Sequence, residues 1–316
     1  MIVLRVSITR MEKVDVAIQS YKKPESLIYS LLSLKKYCGD YVDTIWIDDD
    51  LSGIETTKHY TDENFISIMS PIKIKLRVNK KHYLPGKRVP LFPPEPKFYN
   101  FKDFRRYAYA ILTGNAATKD DVRYQWAINN TKADKLYLMH DDILYLDNII
   151  KLYLDTFRAN DNLIIVGDLG QCHRCEHQKE GCTPSKIMDG IYPSKYFPLT
   201  KDTVGSLPRQ HRRACRINEW SCMLDVKKTR SIKCCFGNYV DDEDVGAYWF
   251  EQIIKAGYDF CDPLPLQQDR NKYYIHCWQG HSGHSVWVDQ GSGIHKYQKD
   301  MINKKLLDDF GYKLNY

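Results

Sequence analysis

Apolar residues recur along the chain with two different periods. Between positions 24 and 38, Leu27, Ile28, Leu31, Leu32 and Leu34 form a stripe at helical spacing, and Pro24 occupies a favoured first-turn position. This spacing predicts a helix over 24–38. Short apolar, β-branched runs at 13–18, 44–48, 72–78, 135–139 and 163–167 predict strands. Further helical patterns fall at 101–113, 120–131, 147–158 and 243–256. Strands alternating with helices imply an α/β chain with a mixed, mostly parallel sheet flanked by helices. Ligands of such sheets sit at the carboxyl ends of the strands, so the chemistry is to be sought there.

A length of 316 residues allows two domains of about 150 residues or one large one. With 43% hydrophobic and 27% charged residues, intrinsic disorder and a membrane-embedded chain are excluded. The first apolar run is cut by Arg5 and Arg10, too short for a signal peptide, and no run approaches the roughly 20 apolar residues of a spanning helix. The expectation is a cytoplasmic protein, with peripheral membrane contact left open. Disulfides are rare in that compartment, so the ten cysteines need other roles. Cys172, Cys175 and Cys182, followed by Cys215, have the spacing of a structural four-thiolate zinc site. Such a Zn²⁺ would pin an insertion over 170–215, with His173, His177 and His211 as substitute ligands. A disulfide pair and unligated thiols are the alternatives. Cys38, Cys222, Cys234, Cys235, Cys261 and Cys277 read as buried or incidental.

The net charge of +6 conceals local opposites. Between 73 and 106 there are eleven Lys or Arg against two acids, Glu95 and Asp103. This stretch is either a solvated face or a contact for phosphates, an anionic acceptor or a membrane surface. Acids gather at three places: Asp48-Asp49-Asp50 and His140-Asp141-Asp142, each directly after an apolar strand, and Asp241-Asp242-Glu243-Asp244 before a helix. Clustered carboxylates at one sheet edge suit a hard divalent cation that would hold a diphosphate.

The order of these features resembles the inverting family 2 glycosyltransferases of the GT-A fold, over roughly 13–290. Gln19-Ser20-Tyr21 resembles the loop after the family's first strand, which contacts the nucleotide base. Asp49-Asp50-Leu51-Ser52 resembles its DDGS element, with Leu51 in place of glycine. Arg123 and Asn129 resemble the arginine- and asparagine-bearing segment before the next strand. His140-Asp141-Asp142 stands where the family has its DxD motif, His140 replacing the first acid. The resemblance implies that Asp142 ligates Mn²⁺ or Mg²⁺, that Asp141 lies toward the ribose, and that Asp49 reads the base. Asp242-Glu243-Asp244 followed by Ala256-Gly257-Tyr258 resembles the helix carrying the catalytic base, with Glu243 and Asp244 both candidates. Late histidines often close the metal site of this fold. His276, His281 and His284 are available, and His281 and His284 in their glycine-rich stretch suit a loop that orders over the donor. Glu219 and Trp220 are candidates for the acceptor side, Trp278 and Trp287 for stacking or packing.

These residues imply a single transferase domain over 1–316 with a C-terminal helical tail over 290–316. The reaction would move a sugar from a nucleotide-sugar donor to a hydroxyl of a glycan or other acceptor, with inversion. Cell-surface polysaccharide assembly is the expected setting. The alternatives are a nucleic-acid-associated protein, including a DNA-modifying glycosyltransferase, and a nucleotidyltransferase. A sequence pI near 8.6 falls short of a dedicated nucleic-acid-binding domain. Residues 17–24 also lack the glycine-rich phosphate loop natural to a nucleotidyltransferase.

Overall fold

A computed structural model describes residues 11–80, 119–170, 216–237, 246–276 and 299–316 apart from 315, with short pieces between 89 and 117 and at 197–198 and 210–211. In chain order its main elements are β1 (Val14–Ser20), α1 (Pro24–Cys38), β2 (Val42–Asp49), α2 (Glu63–Met69), β3 (Lys73–Val78), α3 (Gln125–Asn130) and β4 (Lys135–Met139). There follow β5 (Ile143–Tyr145), α4 (Ile149–Ala159), β6 (Leu163–Gly170), β7 (Arg216–Asp225), α5 (Val226–Ser231), α6 (Ala247–Lys255), β8 (Asp259–Cys261), β9 (Tyr274–His276) and α7 (Lys299–Phe310).

Seven strands form one sheet in the order β8-β6-β7-β4-β1-β2-β3. β1 pairs in parallel with β2 and β4, β2 with β3, and β6 with β8, while β7 runs antiparallel between β4 and β6. The expected α/β architecture is therefore present: a mixed, mostly parallel sheet covered on both faces. Burial on both faces explains why β1, β2 and β4 are nearly continuous apolar runs rather than alternating ones. One face carries Ile18, Ile47, Met139 and Met223 against α1 and α4; the other carries Ala17, Trp46, Leu138 and Leu224 against α3 and α6.

Helix α1 and strand β4 coincide with their sequence expectations. The helix expected over 120–131 is shortened to a 3-10 turn, Lys119–Asp121, and α3. Between them Tyr124 adopts φ 63°, a left-handed conformation that breaks the helical run. The helix expected over 243–256 is observed from Ala247, and the expectation over 101–113 falls mostly outside the described residues.

Strand β7 had no counterpart among the expected strands. Its sequence, RINEWSCMLD, has no period-two alternation because both its faces are covered between β4 and β6. Gly167 of β6 permits this insertion: a Cβ there would lie 2.5 Å from the Cys222 Cβ. The terminal helix α7 packs on α1 through the edge-on rings of Tyr29 and Phe310 and a 2.6 Å hydrogen bond from the Tyr29 hydroxyl to Asp309. No described helix is long and apolar enough to cross a membrane.

Candidate functional site

The chain runs outward from β1 in both directions, to β2 and β3 on one side and to β4 on the other. A crevice opens at such a switch point, at the carboxyl ends of the strands. Two of the three acidic groups follow β2 and β4, directly at that edge.

The loops after β1 and β2 are tied together. The Lys22 amide donates to Ser52 Oγ at 2.8 Å, and the Asp50 amide donates to the Ser20 carbonyl at 2.9 Å. Asp49 accepts from the Ser52 amide at 2.8 Å and from its hydroxyl at 2.5 Å, so both of its oxygens hold the turn. Leu51 sits at φ 64°. The glycine-type turn is thus kept with a leucine, at a cost of about 1–2 kcal/mol. Ser20 Oγ lies 2.9 Å from the Tyr60 hydroxyl, and Tyr21 is buried.

Neighbouring Asp48 is different. It is buried, its two oxygens have no hydrogen bond, and its nearest cation is Arg77, with Nε 3.7 Å away. Burial pushes its carboxyl up to about 8, against the pull of Arg77. In-register Gln19 of β1 likewise has a buried, unpartnered Oε1. Asp50 accepts weakly, at 3.5 Å, from Asn79.

After β4, Asp141 and Asp142 diverge. Asp141 turns to α1: Lys23 Nζ donates to its Oδ1 at 2.7 Å, and Ser26 Oγ donates to its carbonyl at 2.6 Å. Burial pushes its carboxyl up despite Lys23. Asp142 Oδ1 lies 2.9 Å from His276 Nε2 and 3.9 Å from His140 Nδ1. Burial alone would raise the Asp142 carboxyl, but the hydrogen bond and charge of His276 outweigh it and hold the group low. One ligand atom from each of His140, Asp142 and His276 lies within 4.8 Å of the others.

Local pairing builds this cluster. β9 runs antiparallel to β5 with His276 opposite Ile143, which sets the histidine beside Asp142. Of the three late histidines, His276 is described and lies beside Asp142, while His281 and His284 fall outside the described residues. The signal was the short apolar strand pattern Tyr274-Ile275-His276, too brief to be read alone.

Behind His140 stands Glu219 of β7, Oε1 to Nε2 at 3.8 Å. Arg216 Nη2 is 3.8 Å from its Oε2 and Arg123 Nη1 is 4.0 Å from its Oε1. Burial opposes its ionisation, but His140, Arg216 and Arg123 together hold the carboxyl well below its usual range. Trp220 packs its ring 5.4 Å from that of His276 and 6.5 Å from that of His140. Its indole N–H donates to Asp168 at 3.1 Å, and Asp168 is held in turn by Arg270 at 2.7 Å. Asn129, by contrast, spends its amide on Asp120 at 2.7 Å.

Two imidazoles and one carboxylate are a donor set for a divalent transition metal more than for Mg²⁺, which takes oxygen ligands. His140 Nε2 is shut from solvent without a hydrogen bond, a further sign that the ring has a task besides packing. The residues present thus fit a metal ion.

Asp242, Glu243, Asp244, His281, His284, Cys172, Cys175, Cys182 and Cys215 lie outside the described residues. Cys38, Cys222, Cys234, Cys235 and Cys261 are free thiols.

No protein-family model matches the chain, and no curated protein is significantly similar to it. Among solved structures, the chain is similar to the mannosyltransferase PcManGT from Pyrobaculum calidifontis in complex with GDP-Man and Mn²⁺. The TM-score is 0.44 at 11% identity, over 81% of this chain and 55% of the other. The chain thus spans about half the length of that structure.

Proposed function

We propose that the chain is a metal-dependent glycosyltransferase of GT-A type, moving a sugar from a nucleotide-sugar donor to an acceptor hydroxyl with inversion. One observation carries this reading: the His140–Asp142–His276 cluster lies at the sheet's switch point, across from the Asp48–Ser52 turn. A metal and a nucleotide therefore have adjacent places at one edge.

His140, Asp142 and His276 would hold the ion, which when bound offsets charge on the diphosphate leaving group. Asp49 shapes the turn that borders the nucleoside, with Asp50, Ser20 and Tyr21 alongside. The buried, unpartnered oxygens of Asp48 and Gln19 are the groups best placed to meet the polar edge of a base. At neutral pH a protonated Asp48 both donates and accepts there. Lys23 holds Asp141 aside, which leaves Asp142 as the acid of the cluster. Glu219, flanked by Arg216 and Arg123, orients His140 and is too stabilised as an anion to serve as base. Trp220, held by Asp168, offers a fixed aromatic wall to the acceptor sugar. Glu243 or Asp244 would take the proton of the attacking hydroxyl.

A thermal-shift screen of nucleotide sugars, GDP-mannose among them, with Mn²⁺ and separately with Mg²⁺ tests the assignment. One donor should raise the melting temperature with Mn²⁺, by about 2.7 kcal/mol of added stability at 100 times its Kd. Mg²⁺ should be much the weaker partner. The absence of any stabilising donor under either ion would overturn the reading.

The zinc site is a separate part of the proposal. Elemental analysis should find about one zinc per chain, the content of one closed four-ligand site. Cys175→Ser should lower both that content and the melting temperature; unchanged zinc would remove the site.

A further inference from the structure

A cavity shares none of its lining residues with the metal cluster. It has a volume of about 440 Å³ and runs between α3 and the segment that leaves α5. Among the described residues, three cationic side chains line it, Lys119, Arg230 and Lys233, and no carboxylate does. Arg230 is fixed there by hydrogen bonds from Nε to the Ile128 carbonyl and from Nη2 to the Thr131 carbonyl, both 2.7 Å. The nearby Asp120 carboxylate accepts from Asn129.

The wall also contains Thr229, which is 4% exposed and whose Oγ1 has no hydrogen-bond partner. A buried hydroxyl without a partner costs about 1–3 kcal/mol, which a ligand atom would recover. The thiols of Cys234 and Cys235 also line the cavity, and burial pushes both up to about 12. They add no negative charge at neutral pH. Three cations and a spare hydroxyl, with no acid among the described lining residues, make a setting for a compact oxyanion, since charge-assisted hydrogen bonds from Lys and Arg to phosphate are among the strong ones.

We propose that this cavity is an anion site for a phosphoryl group, separate from the metal cluster, with Lys119, Lys233, Arg230 and Thr229 as its donors. The proposal does not rest on the glycosyltransferase reading, since it needs no donor and no divalent ion.

The test titrates the metal-free full chain with inorganic phosphate and, in a second arm, with glucose 6-phosphate, by calorimetry. Saturable binding of either is expected, and the tighter arm identifies the free anion or the phosphomonoester as the ligand form. Lys119→Gln combined with Lys233→Gln should weaken binding by about 10-fold or more, equivalent to about 1.4 kcal/mol. Thr229→Val, which keeps the side-chain shape, should weaken it several-fold without lowering the melting temperature. Arg230 is left intact because it also ties α5 to α3. Absence of saturable binding, or binding unchanged in both variants, overturns the proposal. Binding that appears only when Mn²⁺ is added and is untouched by the lysine changes would place the anion in the metal crevice and overturn it equally.

Discussion

Asp142→Asn is expected to reduce metal-dependent turnover by about 10³-fold or more while leaving the fold intact. Asp142 supplies the carboxylate of the His140–Asp142–His276 cluster. An amide keeps the volume and can still face His276, but it removes the negative charge that holds a divalent cation. Metal stabilisation of a leaving group is worth several kcal/mol, and about 4 kcal/mol corresponds to 10³ in rate. The measurement pairs kcat under saturating Mn²⁺ with calorimetric Mn²⁺ affinity and a melting curve. Loss of both turnover and Mn²⁺ binding at an unchanged melting temperature is the expected pattern. Turnover retained within about 10-fold would show that the cluster is not the metal centre.

Glu243→Gln and Asp244→Asn, made separately, should divide sharply. One should lose about 10²–10⁴ in turnover, the usual range for a general base, with donor affinity preserved, because a base acts on the acceptor hydroxyl and not on the diphosphate. The other should remain within a few-fold of the parent chain. Helix α6 follows these residues directly and is anchored through buried Trp249, Phe250 and Ile253. At its start, Gly246 adopts φ 81°, and a Cβ there would lie 3.9 Å from Arg216 Cδ. Arg216 in turn neighbours Glu219 in the crevice. If neither variant loses turnover, the base lies elsewhere.

The elements that were legible in the sequence are those whose periodicity reports a simple environment. Helix α1 carries one buried stripe beneath a Pro24 start, and β4 is an apolar run of a strand covered on both faces. The pairing of acids with strand ends was legible for the same reason: charge directly after an apolar run marks where the chain leaves the core. Strand β7 was not legible, because buried Asn218 and Glu219 interrupt its apolar run and make it read as a loop. Glu219 faces the crevice, where Arg216, Arg123 and His140 surround it, while Asn218 is buried with no hydrogen bond to either side-chain polar atom.

The sequence by itself determined the α/β class, the mostly parallel sheet and the two acidic edges after β2 and β4, since these follow from local periodicity and from the cost of burying charge. Tertiary structure alone decided which members of each edge face one another. His276 reaches Asp142 across 134 positions through the β5–β9 pairing, Lys23 draws Asp141 away, and Ser52 occupies Asp49 while Asp48 is left without a hydrogen bond. Adjacent residues of one strand point to opposite faces. Three neighbouring acids therefore look equivalent in a sequence, and only the packed neighbours assign them different tasks.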